Sequence, residues 1–202
     1  MIPPHGGTLV DGYVRGDQAQ ALREEAQSLT AISLNARQML DAHLIAQGAF
    51  SPVDGFMGHE DYTSVVRNMR LEQGLIWPLP VTLGVDSHQA SGLEVGSRVS
   101  LSDERGMLVG VLKLEGKYRR EREEEALQIY GTADMDHPGV GQLYLDGDVL
   151  LGGKVLLFQE TKLLAEYLPD LYDFFGALGF TIYIGHTGSR GGLVNMVRRS
   201  WL

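Results

Sequence analysis

Apolar residues recur along this chain at two spacings, and the spacing changes near residue 94. Before that point the helical period dominates. Residues 8–14 read as a short strand broken by a turn, and Asp17 is placed to cap a helix over 18–28 carrying Ala21, Leu22, Glu25 and Ala26. Thr30 to Leu34 alternate as a strand does. Asn35 then suits the N-cap of a helix over 36–47, with Ala36, Leu40 and Leu44 on one face beside Met39 and Gly48 at its end. A third helix over 60–71 turns Tyr62, Val65, Val66 and Met69 inward, and Trp77-Pro78-Leu79-Pro80 leads into a strand over 81–85.

From residue 94 the period is two. Val95 to Leu101, a turn at Asp103-Glu104-Arg105-Gly106 and Met107 to Leu114 make a hairpin by composition. The run 119–130 is helical and densely charged, and reads as a solvated face with i,i+4 ion pairs. Residues 142–158 read as a second hairpin, with turns at Asp146-Gly147-Asp148 and Gly152-Gly153. Further on, Leu171 to Leu178 suit a short helix, Phe180 to Ile184 a strand, and 193–200 another helix after a glycine-rich link. These elements place the chain in the α+β class.

Composition narrows the chemistry. The 202 residues allow one domain plus a fragment, and a hydrophobic fraction of 44% supports a core. With no cysteine there is no disulfide, thiolate metal site or cysteine nucleophile. The net charge of −9 opposes a broad grip on nucleic acid or an anionic membrane. Residues 1–170 carry −11 and residues 171–202 carry +2, which marks a candidate boundary near Pro169. No run of apolar residues is long enough to span a bilayer, the start lacks a secretory pattern, and the expected compartment is the cytoplasm.

Candidate catalytic groups are scattered. The six histidines include no pair at metal-protease spacing and no His-x-His. His43, among apolar neighbours, reads as a hydrogen-bonded interior histidine, and His137, before Pro138-Gly139, as a turn residue. The pairs Asp134/Asp136 and Asp146/Asp148 read as turn formers. No Gly-x-Ser-x-Gly or Walker loop is present. The spacing Gly185-x-x-Gly188-x-x-Gly191 makes Gly185, His186, Thr187, Gly188 and Arg190 candidates for holding a phosphate at a helix start, against the simpler reading of a flexible turn. No metal-ligand set and no catalytic residue is assigned. The loop 48–57 is expected to be ordered by buried Phe50 and Phe56, shaped by Ser51, Pro52 and Gly55.

Several stretches together resemble the N-terminal part of ATP sulfurylase (sulfate adenylyltransferase): Pro3-Pro4-His5-Gly6-Gly7-Thr8-Leu9-Val10, Leu40 through Met57, Trp77 through Leu83, Tyr130-Gly131-Thr132-Ala133-Asp134, His137-Pro138-Gly139-Val140 and Leu151 through Val155. They are colinear with the family pattern and cover about 1–168. The resemblance implies a PUA-like β-barrel with flanking helices over 1–168, followed at 169–202 by a truncated or divergent start of a nucleotidyltransferase domain, a short strand–helix remnant.

The family joins ATP and sulfate into adenosine 5′-phosphosulfate and pyrophosphate, in sulfate assimilation or sulfur oxidation. Its catalytic residues lie in the following domain, on a Gln-Thr-Arg-Asn-Pro-x-His-x-x-His segment. Here His186-Thr187-Gly188-Ser189-Arg190 follows the corresponding strand without His-x-x-His or Asn-Pro. Only Thr187 keeps a comparable position, and it is given no role. The resemblance thus implies a non-catalytic structural or interaction module with no cofactor of its own, ATP with Mg belonging to the absent domain. Its expected partner is a catalytic sulfurylase domain or chain, or a second copy through the tail. The alternative is an active or split enzyme completed by a partner chain. RNA binding, which some PUA-like folds show, is opposed by the acidity of 1–170.

Overall fold

The computed structural model describes residues 3–158 in full and, beyond them, the backbone of two strands, Phe180–His186 and Leu193–Arg199. The chain divides into two compact units, Met1–Phe158 and Gln159–Leu202.

In the first unit a mixed sheet is assembled around one strand. Tyr13–Val14 (β1), Ala31–Ser33 (β2), Gly55–Phe56 (β3), Leu83–Val85 (β4), Arg98–Ser102 (β5), Leu108–Arg119 (β6) and Val149–Phe158 (β7) pair in the order β1-β7-β6-β5-β2, with β3 and β4 also on β7. The β1–β7 and β2–β5 pairs are parallel and the others antiparallel. β7 therefore touches four other strands. The expected second hairpin over 142–158 is not formed. Its first part belongs to the helix Pro138–Leu145 (α6), and Gly152-Gly153 runs straight through β7. These glycines serve close approach rather than turning: a Cβ on Gly153, whose φ is +152°, would stand 2.0 Å from the Lys113 carbonyl oxygen across the ladder.

The helices Gly16–Ala26 (α1), Ala36–Ala46 (α2), His59–Asn68 (α3), Ser87–Ser91 (α4) and Arg122–Tyr130 (α5) complete this unit with α6. α1 covers Val111 and Phe158 with Leu22 and Ala26. Asp17 does not cap it. Arg15, held extended by bonds from its guanidinium to Asp11, occupies the cap position, and Asp17 falls in the first turn, still favourable to the helix dipole.

α2 starts where expected: the Asn35 side chain accepts the Gln38 N–H at 2.9 Å, and Gln38 Oε1 accepts the Asn35 N–H at 3.1 Å. Asn35→Ala is expected to lower stability by about 1 kcal/mol, read as a drop in Tm. The buried face of α2 differs from the expected one. Gln38, Met39, Ala42, His43, Ile45 and Ala46 face in, Ala36 is exposed, and Leu40 and Leu44 are half-buried. Two polar side chains fix that rotation because their bonds are made inside. Gln38 Nε2 donates to the Gly84 carbonyl at 3.0 Å, and the Tyr13 hydroxyl meets His43 Nδ1 at 3.0 Å. His43 is thus an interior, hydrogen-bonded histidine, its pKa pushed down to about 4 by burial.

α3 buries Tyr62, Val65 and Val66, but Met69 is 61% exposed, since the helix stops at Asn68 and Met69 turns left-handed at φ 52°.

In the second unit β8 (Phe180–His186) and β9 (Leu193–Arg199) pair antiparallel, from Phe180↔Arg199 to His186↔Leu193. The helix expected over 193–200 is therefore a strand. An isolated helix of eight residues is marginal, whereas β8 offers this Val-bearing segment a full ladder of partners. The expected helix at Leu171–Leu178 lies outside the described residues, and the described part of this unit is a two-stranded ladder.

Candidate functional site

The loop expected to be structural begins at Gly48 and ends in β3. Ser51, buried, donates from Oγ to the Gly48 carbonyl at 2.6 Å and accepts the Val10 N–H at 2.9 Å, across a cis Ser51–Pro52 bond. Phe56 is buried at 2% exposure, and Gly55 sits opposite Lys154 on β7. Phe50 is only half-buried, edge-on to Trp77 with ring centroids 5.9 Å apart. A broad depression of about 510 Å³ borders this loop with Asp54, Glu60, Asp61, Glu72 and Glu115 on its walls. Its acids are engaged locally: Asp54 takes Lys154 Nζ at 2.8 Å, and Asp61 accepts the Glu72 N–H at 2.8 Å.

The denser chemistry lies on the other side of Phe50. Arg120, whose side chain is 1% exposed, leaves the end of β6 and points inward. Its Nη2 donates to Thr82 Oγ1 at 2.6 Å and its Nη1 to Asp146 Oδ2 at 3.3 Å, while Nε stands 3.2 Å from Glu125 Oε2 at ion-pair distance without hydrogen-bond alignment. The Tyr62 hydroxyl donates to the same Glu125 oxygen at 2.7 Å. Burial, and then the Glu125 carboxylate, push the Tyr62 pKa up, so it stays a donor.

Asp146, at the end of α6, also takes Arg37 Nη2 from α2, and its backbone carbonyl accepts Arg122 Nη2 at 2.6 Å. Arg37 in turn gives Nη1 to Asp41 at 3.3 Å. The cluster ties α2, α3, β6, α5 and α6 together through charge. The helices α5 and α6 otherwise share only a small apolar core of Ala126, Val140 and Leu143.

A cavity of about 390 Å³ opens over this cluster, walled by Phe50, Leu79, Val81, Ile129, Tyr130 and Leu143. Tyr130 reaches its rim because the next helix leaves space: a Cβ on Gly139 would stand 2.5 Å from the Tyr130 ring. His137 occupies the N-cap position of α6 with its ring tilted 43° against Tyr130, centroids 5.2 Å apart, and its backbone N–H donates to the Asp134 carbonyl, so it is a turn residue at a helix start.

Several residues take other roles than their sequence pattern suggested. Asp134 does form a turn, accepting the Asp136 N–H at 3.0 Å. Asp146 is instead a buried hub, and Asp148 accepts from Ser87 Oγ at 3.0 Å. The charged run is not uniformly solvated. Arg120 and Glu125 are interior, and Glu124 pairs with Arg67 of α3 at 2.6 Å rather than along its own helix. Nothing in the local pattern separates these residues from their exposed neighbours, because Asp146 meets Arg37 across 109 positions. Of the phosphate candidates, Gly185 and His186 end β8, and Thr187, Gly188 and Arg190 lie outside the described residues. Since β9 follows, the helix start on which that reading leaned is not there. Among the described residues no group of three His, Asp or Glu could hold a metal, and no helix is long and apolar enough to cross a membrane.

Asp41 carries the most informative titration. Burial pushes its carboxyl up to about 6; Arg37 opposes that and Asp146 adds to it. Because the folded pKa lies above the unfolded 3.8, the folded state binds more protons between the two values. Stability contributed by neutral Asp41 is therefore present below pH 4 and lost as pH rises through 6, by up to about 3 kcal/mol. Urea melts at pH 5 and pH 7.5 should show Asp41→Asn gaining on the parent as pH rises; a difference independent of pH would rule this out.

The PUA-like domain family matches residues 2–160, the compact unit and its site together. The chain belongs to that family. Its curated relatives include the sulfate adenylyltransferase of Synechococcus sp. strain JA-3-3Ab, 46% identical over 79% of this chain and 40% of that protein. That of Symbiobacterium thermophilum is 44% identical over 83% of this chain and 43% of its own length. The chain thus spans about two fifths of the relatives it matches, and the shared part is their N-terminal domain. Among solved structures, the hexameric APS kinase from Thiobacillus denitrificans superposes with a TM-score of 0.59 over 87% of this chain and 32% of that one, at 24% identity, a likeness of fold.

Proposed function

We propose that this chain serves as the N-terminal PUA-like module of a sulfate adenylyltransferase system, a structural and interaction unit rather than the seat of the reaction. The observation that carries this reading is the coverage. The relatives named for the activity cover about four fifths of this chain with only about 40% of their own length. The site's chemistry supports it. The arginines of the site, the groups suited to stabilising developing phosphate or sulfate charge, are already committed: Arg37 and Arg120 pair with Asp41, Glu125 and Asp146. In this reading ATP with Mg and sulfate belong to a downstream catalytic region, which is the module's partner, and the setting is the cytoplasm.

The test is sulfate-dependent pyrophosphate release by purified 1–202 with ATP and Mg. The expected rate equals the no-protein blank. Sulfate-dependent turnover above that blank overturns the proposal.

A further inference from the structure

Residues 120–148 connect β6 to β7, and the two ends of that connection are neighbours. Arg119 pairs with Val149 on the ladder, and the Arg120 N–H donates to the Asp148 carbonyl at 3.0 Å. The helices α5 and α6 can therefore leave their place without opening the sheet. In α5 only Glu125 and Ala126 are buried, and in α6 only Val140 and Leu143. Their apolar cluster, Ala126, Val140 and Leu143 with Ala133 and Tyr144 against it, draws on no residue outside the connection and is separate from the main core. Leu127, Met135 and Leu145, in the same stretch, are exposed.

What crosses the seam between this helix pair and the rest of the unit is charge. Tyr62 and Arg120 hold Glu125, Arg37 and Arg120 hold Asp146, and Arg67 holds Glu124. Two cavities lie along the seam. The one of about 390 Å³ has Leu79, Val81 and Thr82 on one side and Ile129, Gln142 and Leu143 on the other. A second, of about 300 Å³, is lined by Thr63 and Val66 of α3 and by Glu121 and Glu124. A seam closed by ion pairs opens more readily than an apolar one, because water takes back the charges. Opening also gives acceptors to the Nε donors of Arg37, Arg120 and Arg122, which are buried without a hydrogen-bond acceptor.

We propose that α5 and α6 form a charge-latched flap that detaches and unfolds as one unit while the β6–β7 ladder stays closed. Detachment entails unfolding, since helices of nine and eight residues around a core of three apolar side chains do not hold alone. The two helices leave together for two reasons. Arg122 of α5 donates to the Asp146 carbonyl at the end of α6 at 2.6 Å, and the same Arg120 pins Glu125 and Asp146. The open form bares Thr82 and Arg120, both interior in the closed one. The inference does not depend on the proposed function, because it concerns only residues of this chain.

The test is native-state hydrogen exchange of the full chain at neutral pH, read by mass spectrometry of its peptides across a series of low urea concentrations. The amides of α5 and α6 are expected to share one opening equilibrium and one urea slope. Their protection should lie at least about a hundredfold below that of the β6–β7 ladder. Two variants outside the flap, each touching one helix, test the coupling. Tyr62→Phe removes a donor to Glu125 of α5, and Arg37→Met removes a partner of Asp146 at the end of α6. Each should speed the exchange of both helices by the same factor, about tenfold. Three results overturn the proposal: faster exchange only in the helix that a variant touches, different urea slopes for α5 and α6, or exchange of both helices only together with the ladder.

Discussion

Replacing Arg120 with methionine is expected to destabilise the first unit by about 3–5 kcal/mol, although the new side chain is apolar, similar in length and wholly interior. The cost comes from what stays behind. Glu125 and Asp146 are 5% and 8% exposed, and Thr82 is 3% exposed; without the guanidinium each keeps a polar group turned into the interior with fewer partners. Truncating one member of a buried ion pair costs more than the pair itself contributes, since the desolvation of the remaining charge is no longer offset. A further substitution separates this cause from lost packing. Glu125→Gln in the Arg120→Met background removes one orphaned charge and should recover part of the loss, while Glu125→Gln alone should destabilise. Urea unfolding followed by circular dichroism reads both. A loss below about 1 kcal/mol for Arg120→Met would mean that apolar packing alone holds α5 and α6 in place.

Phe56→Ala should cost a comparable amount, about 3–5 kcal/mol, by a different mechanism. Phe56 is 2% exposed, sits in β3 opposite Gly153 on the spine strand, and belongs to the main core with Met57, Tyr62 and Leu83. Its removal leaves a void bounded by the sheet on one side and by α2 on another, elements tied by ladder bonds and a capping box that resist collapse into it. Phe50→Ala should cost clearly less, because Phe50 is half-buried at a cavity rim and meets one aromatic neighbour, Trp77. Equal losses for the two variants, or a melt of Phe56→Ala that overlays the parent, would contradict this assignment.

The elements legible in the sequence are those whose signals are local. Asn35 and Gln38 announce a helix start within four residues, and the period of Tyr62, Val65 and Val66 places α3. The Asp103 turn marks the β5–β6 connection because its carboxylate accepts the N–H groups of Arg105 and Met107, a bond pattern contained in five residues. What sequence missed is set by distant partners. Gly152-Gly153 looks like a turn until Lys113 is brought against it, and Asp146-Gly147-Asp148 looks like one until two arginines from other elements close on Asp146. The inward face of α2 was misjudged for the same reason: hydropathy ranks Gln38 as a surface residue, and only the Gly84 carbonyl makes its burial inexpensive, whereas His43, read as interior, is buried with Tyr13 as its partner. The candidate cavity is the extreme case, since none of its charged residues differs locally from a solvated one.

The position of β7 in the chain has a bearing on biosynthesis. β1, β3, β4 and β6 all take it as a partner, yet it is the last strand of its unit to be made. While the ribosome is still adding residues 20–148, Tyr13 and Val14 have no strand to join, and once Leu108–Arg119 has been made β6 too has an open edge. At about 5–20 residues per second, that interval lasts on the order of ten seconds or more. A nascent chain in that state exposes strand edges prone to pairing with other chains. The closing contact, Tyr13 with Leu157, joins nearly the two ends of the unit, which makes folding slow once synthesis allows it. Yield in cells should therefore respond to the elongation rate over residues 149–158, and to chaperones that bind extended apolar segments, more than the finished unit's stability would suggest.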